Sequence, residues 1–377
     1  MRILQITPQA PDTNSGGTIG VLQTALSLTG NGYDVDYIGP EISNDSIRKL
    51  YSNTYELKAT NNKLLLICDA VRGITNRRYH AWCNLEVNFD LYDAVVIDFT
   101  KIDYVLSRLK RQKLYIRVHN VEFDYENVNY SNNKCLKNWI SKKTILKRER
   151  KIVSDAEKLV FLTEADRDRM RNLYGEFILD KSEIIPVCVN RRIMTDGLRD
   201  TSPINLLITG SLWFGENYKG VLWFLEEVCP LIKSEYKLTI AGAHPTGELK
   251  NIISNNHKVV LYDTPKKMDP LFRATDLVVA PIFNGAGMKV KVAEALSYAK
   301  PIVGTNHAFI GYKIVSGYNS YIADDAQSFA NAIDNYSKLS LHDKTQMRSA
   351  IINLFNGSYC MTVSSHLWKE ILEPQEY

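Results

Sequence analysis

No apolar run in this sequence approaches the roughly 20 residues that a helix needs to cross a bilayer, which argues against a helical integral membrane protein. The start MRILQITPQAP lacks the basic stretch, long apolar run and small-residue cleavage site of a secretory signal, so the cytosol is the expected compartment. Cysteine is sparse and unpatterned. Cys68, Cys83, Cys135, Cys188, Cys229 and Cys360 form no C-x-x-C pair and stand in no His-paired spacing, which argues against a zinc site and a disulfide framework and leaves buried thiols as the expectation. Short-period repeats and low-complexity tracts are missing too, so a solenoid or a disordered chain is not expected. The net charge is only +4. It is concentrated: residues 101–160 hold fifteen Lys or Arg against seven Asp or Glu, so the rest of the chain is net negative.

What is present is the grammar of α/β proteins. At 377 residues the chain exceeds the size at which single cores stop growing, so two domains are expected. Short β-rich runs alternate with helical patterns, which predicts parallel sheets built from βα units. The first half offers strands at 2–7, 33–39, 93–99, 113–119, 158–163 and 183–189, and the second at 205–210, 236–242, 258–263, 276–281 and 301–305. The predicted division is an amino-terminal domain over 1–190, a linker over 191–203 that ends in turn formers, and a second domain over 204–358. A last helix within 359–377 is expected to pack back on the first domain. Two doubly wound, Rossmann-like domains facing one another would make a central cleft, and open α/β sheets bind ligands beyond the carboxyl ends of their strands.

The stretch NGAGMKVKVAEALSYAKPIVGT (284–305) reads as a glycine-rich turn running into a helix. Lys289 and Lys291 stand at the helix start, the end where the macrodipole disfavours cations. Gly285 and Gly287 permit close approach by a ligand, and the helix start offers unpaired N–H donors, so an anion is the natural partner of both lysines. The bland alternative is that they only snorkel to solvent. Glu294, one turn further on a largely apolar helix, either pairs with Lys291 on the surface or faces a polar group such as a ribose diol. His119 ends a predicted strand and so belongs at a carboxyl edge. A lone histidine is more often structural, but its setting in HNVE after a strand favours function, with Asn120 and Glu122 as neighbours on the acceptor side. Asp34-Val35-Asp36 has the form of a D-x-D metal motif but lies inside a strand, and no metal is expected. A dinucleotide fingerprint would need glycine at 15, where Ser15 stands.

The run 284–305 resembles the signature of retaining glycosyltransferases of the GT-B fold, family 4, of the bacterial surface-glycan type. TPQAPDTNSGGTIGVLQTALSLTGNGYDVDYIG, YIRVHNVEFDYE and ITGSLWFGENYKGVLWFLEEVCPLI agree with it in the right order. The resemblance implies a GT-B architecture and metal-independent transfer of a sugar from a nucleotide-diphosphate donor to a hydroxyl of a glycan or lipid-linked glycan, with retention. By position, Glu294 resembles the ribose-holding second glutamate of an E-x7-E motif, whose first glutamate would fall at Ala286. Ser211 stands where most members carry a diphosphate-gripping arginine, with Gly210 before it as a further donor-binding candidate, and Lys219 aligns loosely with a following lysine. Lys289 and Lys291 would then hold the diphosphate. Gly16 and Gly17 resemble the family's glycine loop, and His119 the histidine that approaches the donor sugar. Two other readings stay open: a sugar-nucleotide epimerase of the same fold, and a non-catalytic partner subunit.

The segment 136–153 adds an amphipathic basic pattern. Apolar Leu136, Trp139, Ile140, Ile145, Leu146, Ile152 and Val153 are interleaved with Lys137, Lys142, Lys143, Lys147, Arg148, Arg150 and Lys151. It predicts either a core-facing helix with a charged outer face, on which Trp139 and Leu146 pack against the sheet, or peripheral attachment to an anionic membrane surface. Nucleic acid is not expected, because no nucleic-acid fold or aromatic platform accompanies the charge.

Overall fold

A computed structural model of the chain describes residues 1–13, 16–71, 74–109, 112–192, 202–213, 215–285 and 287–374. Most of the predicted linker, residues 193–201, and Ala286 lie outside the described residues. The backbone divides into two units, Met1–Pro186 with Ser364–Tyr377, and Val187–Val363.

The first unit is built on seven parallel strands: β1 (Arg2–Ile6), β2 (Asp34–Gly39), β3 (Thr54–Glu56), β4 (Ala94–Asp98), β5 (Lys113–Val118), β6 (Lys158–Phe161) and β7 (Ser182–Ile184). They stand in the order β3-β2-β1-β4-β5-β6-β7. Both faces are covered, so alternate residues of one strand enter opposite cores. Leu4, Val95 and Ile97 join the cluster around Trp82, while Ile3, Ala94 and Val96 join the cluster around Trp368. This explains why the strands read as continuous apolar runs instead of alternating ones. The helix Met361–Leu372 supplies Trp368 and Leu372 to the second cluster. Ser364 Oγ is paired with Ser27 Oγ at 2.7 Å and accepts from Gln23 Nε2 at 3.2 Å.

The second unit has six parallel strands, β8 (Ile204–Thr209), β9 (Tyr236–Gly242), β10 (Val259–Asp263), β11 (Leu277–Ala280), β12 (Ile302–Gly304) and β13 (Tyr321–Ile322), in the order β10-β9-β8-β11-β12-β13. In each sheet the winding direction reverses once, between β1 and β4 and between β8 and β11. A crevice opens at such a switch point beyond the carboxyl ends.

Four differences from the sequence reading have physical reasons. β3 and β13 are edge strands of three and two residues, too short to show a period. The predicted strand 183–189 stays in the sheet only as far as Ile184, because Pro186 has no N–H for a ladder, and Val189 forms an isolated bridge to Cys360. Cys68, Cys83 and Cys135 are exposed instead of buried, on helices and a helix cap at the surface of the first unit. In the helix Leu136–Asp155, Ile145, Ile152 and Val153 are buried, but Trp139 and Leu146 do not pack on the sheet: with Leu136 they are 46, 40 and 72% exposed respectively. Asp36 of the D-x-D sequence is buried and accepts from Arg2, Asn53 and Tyr92, a structural role.

Candidate functional site

In the second unit, β8 runs out at Thr209 and Gly210 turns with φ +148°. A Cβ there would stand 2.7 Å from Lys291 Nζ and 3.2 Å from the Asn217 side chain, so the missing side chain makes room for the lysine head at the switch point. Lys291 comes from the helix Val290–Ser297, and its Nζ donates to Asn217 Oδ1 at 2.9 Å. Asn217 lies on the helix Gly215–Trp223, which leaves the same strand end. Burial pushes the Lys291 ammonium down to about 8; Lys289 adds to the shift and Glu294 opposes it. The group is therefore still a cation at neutral pH, anchored by a neutral amide oxygen.

Glu294 is drawn the other way. Burial raises its carboxyl above the usual range, against the pull of Arg192 and Lys291. Arg192 clasps the end of the same helix: its N–H donates to Ser297 O at 3.0 Å and its Nη1 to Tyr298 Oη at 3.2 Å. Tyr298 Oη in turn donates to Asp269 Oδ1 at 2.9 Å. Lys289 is the residue that caps the helix start, and its Nζ donates to Gly285 O and Gly287 O at 2.7 and 2.8 Å. It thereby closes the turn in which both glycines take positive φ. Ser211 follows Gly210 and is half-buried. Lys219 is not brought to this cluster: it is 73% exposed on the outer face of its helix, 3.6 Å from Glu216.

In the first unit the switch point holds a buried polar network. His119 follows β5 and its Nε2 lies 2.7 Å from Asp98 Oδ1, at the end of β4. Asp98 also accepts from Thr24 Oγ1 at 3.1 Å and Gln5 Nε2 at 2.7 Å, and Tyr51 Oη donates to Gln5 Oε1 at 2.8 Å. Burial lowers the His119 pKa, outweighing the stabilising effect of Asp98 on the cation. A neutral imidazole that donates from Nε2 keeps Nδ1 as an acceptor. The ring stacks on Phe99, with centroids 4.3 Å apart, and lies over Gly20, where a Cβ would come within 2.5 Å of Cε1 and Nδ1. Gly16 and Gly17 open the helix Gly16–Gly30 that carries Gly20. Near the carboxyl ends of β1 and β2, a cavity of about 470 Å³ is lined by Asp12, Ser43, Asn44 and Ser46 among others.

Sequence reasoning missed Arg192, Asn217, Asp98 and Gly20. The spacing from Ser15 to Gly20 drew attention to a nucleotide fingerprint, whereas Gly20 is small because an imidazole lies on it.

Residues 203–338 match the family model described as "Glycosyl transferases group 1". The second unit carries a group 1 glycosyl transferase domain. Around this glycosyl transferase domain the full chain has the two Rossmann-like units of the GT-B fold, as solved neighbours show. A glycosyltransferase from Rickettsia africae superposes with a TM-score of 0.68 at 16% identity, covering 99% of both chains. Anabaena HepE in complex with UDP-glucose gives 0.68 at 12% identity over 99% of this chain and 100% of its own. TarM of S. aureus gives 0.68 at 11% identity over 99% of each. A protein of Klebsiella pneumoniae described as an "Uncharacterized 44.6 kDa protein in cps region" is 26% identical over 89% of this chain and 91% of its own length.

Proposed function

We propose that the chain moves a sugar from a nucleotide-diphosphate donor to a hydroxyl of a glycan or lipid-linked glycan, with retention at the anomeric carbon and without a metal. The observation that carries this reading is Lys291, a cation at the β8–β11 switch point held by a neutral amide beside Gly210. In the transfer, the bond from C1 to the diphosphate oxygen breaks and a bond from C1 to the acceptor oxygen forms. The acceptor proton passes to a phosphate oxygen of the leaving group on the same face, so no protein general base is assigned. Lys291 and the N–H groups at the start of Val290–Ser297 offset charge growing on the diphosphate, an effect worth several kcal/mol where water is excluded. Glu294 holds the ribose, and neutral His119 accepts a hydrogen bond from a donor-sugar hydroxyl. The hydroxyl and amide groups of the 470 Å³ cavity suit an acceptor sugar.

HepE with UDP-glucose and TarM with UDP support the donor class, and the cps region named for the Klebsiella relative supports a surface glycan as product. The test is thermal shift of the purified chain across UDP-, GDP-, TDP- and CMP-sugars, followed by NMR of the product anomer. One nucleotide class should stabilise the chain, and the product should keep the donor's configuration. An inverted product, or activity abolished by EDTA, would overturn the reading.

The acceptor is proposed to lie at the cytoplasmic leaflet. Among the described residues no helix is long and apolar enough to cross a membrane. Exposed Leu136 and Trp139 share the helix Leu136–Asp155 with Lys137, Lys142, Lys143 and Lys147, which supports peripheral attachment to anionic lipid. Arg148 belongs to the packing instead, donating to Asp103 Oδ1 at 2.8 Å. Co-sedimentation with vesicles should rise with anionic lipid and fall with salt. It should weaken when Lys142, Lys143 and Lys147 become glutamate.

A further inference from the structure

Close to His119 lies a buried carboxylate that the network around Asp98 does not use. Glu122, first residue of the helix Glu122–Asn132, is fully buried, and neither of its carboxylate oxygens has a hydrogen-bond partner among the described residues. Lys101 Nζ stands 3.4 Å from Glu122 Oε1. Lys101 comes from the segment after β4, and its ammonium lies 4.6 Å from the centre of the Phe99 ring and 5.5 Å from that of Tyr125. Phe99 is the ring on which His119 stacks. A line of contacts therefore runs from Glu122 through Lys101 and Phe99 to the imidazole.

A second buried carboxylate, Glu149, is bonded in the opposite way. It accepts from Thr100 Oγ1 at 2.5 Å, Tyr174 Oη at 2.6 Å, and the N–H groups of Glu122 and Phe123 at 3.0 and 3.2 Å. Four donors pin Glu149 at the start of the helix and oppose the burial that raises its carboxyl. Glu122 is left with one cation.

We propose that Glu122 is a positioning residue for sugar transfer: its carboxylate holds the Lys101 ammonium against Phe99, and so fixes the ring face against which His119 is set. The inference rests on the reading of His119 as the group facing the donor sugar. The charged groups that face Glu122 are Lys101 from the β4 segment, Glu149 from the helix Leu136–Asp155 and Glu126 from its own helix. Burial raises the Glu122 carboxyl to about 7; Lys101 opposes the shift, and Glu149 and Glu126 add to it. Below that pH the carboxyl is neutral and the tether to Lys101 slackens. The sign for folding follows: a pKa raised on folding gives stability that is full below the ordinary carboxylate range and is lost as pH rises through about 7.

The experiment compares the native chain with Glu122→Gln, Glu122→Asp and Lys101→Met in kcat, donor KM and thermal unfolding, from about pH 5.5 to about pH 8. The native kcat should rise with pH through an ionisation near 7. Glu122→Gln and Lys101→Met should lack that limb, with kcat roughly threefold lower at the upper pH, equal to native at the lower pH, and donor KM little changed. Glu122→Asp should recover part of the limb. Any limb from His119 lies at lower pH and should persist in all variants. In unfolding, the advantage of Glu122→Gln over the native chain should be smaller at the lower pH and grow toward the upper, a readout that needs no activity. Superimposable pH profiles for the native chain and Glu122→Gln would overturn the proposal. If His119→Ala left kcat unchanged, the reading of His119 would fall instead, and the unfolding comparison would still report the ionisation of Glu122.

Discussion

The two switch points of this molecule are furnished in opposite ways. At β1–β4 the histidine is tied into a buried network: Asp98 receives His119, Thr24 and Gln5, and burial favours the neutral imidazole. At β8–β11 a half-buried cation is anchored by a carboxamide oxygen on a neighbouring helix, at 2.9 Å. A neutral, pre-oriented ring suits a sugar hydroxyl, which brings no charge. A cation bonded to a neutral amide oxygen suits a diphosphate, which brings the compensating charge itself. In the proposed reaction the same topology serves two chemistries, and the difference lies in which strand end carries an acidic residue.

Substitutions can break this contrast. The largest effect is expected from Lys291→Ala, which should lower kcat/KM for the donor at least about tenfold, roughly 1.4 kcal/mol, with the unfolding temperature preserved because a half-buried charge has been removed. If His119→Ala weakened donor binding more than Lys291→Ala did, the assignment of charge to the second unit would be broken. Asp98→Asn should act on kcat and not on donor KM, by about fivefold, since it leaves the imidazole without its fixed acceptor, a loss of about 1 kcal/mol. Glu294→Ala should weaken nucleotide binding by a similar factor in calorimetry while changing kcat little.

The smallest effect sharpens the contrast. Burial brings the Lys291 ammonium down to about 8, so its cation, and with it donor affinity, should be present below that pH and decline as pH rises through it. Lys291→Arg should remove that decline, because guanidinium does not deprotonate in this range. A native donor affinity that stayed flat to pH 9 would mean that Lys291 does not meet the diphosphate.

How far the sequence foretold this arrangement depends on whether the information was local. The strands at β1, β4 and β5, the turn at 284–289 and the helix carrying Lys291 and Glu294 were legible, because apolar runs, glycines and helical spacing are properties of neighbours in the chain. Lys219 shows the limit of that reading. Its place after β8 is right for a diphosphate contact, but the helix turns it outward to Glu216. Asn217, two residues earlier, points to Lys291, and nothing in the local sequence distinguishes it. Asp98 ends an apolar run and looks like a strand terminator until topology sets β5 beside it. Arg192 fell in a segment that reads as linker, and its contacts with Ser297 and Tyr298 are made across more than a hundred residues.

The helix Met361–Leu372 has a consequence for how the chain is made. Trp368 fills one core of the first unit, yet it is synthesised only after the whole of Val187–Val363. On the ribosome the second unit therefore has all its strands in hand while the first still lacks the side chain that closes its sheet. The usual amino-first sequence of domain completion is inverted. Until the tryptophan arrives, the Ile3, Val35 and Val96 face is covered only by earlier parts of the cluster such as Ala25 and Leu28, and that interval is when a chaperone would have something to hold.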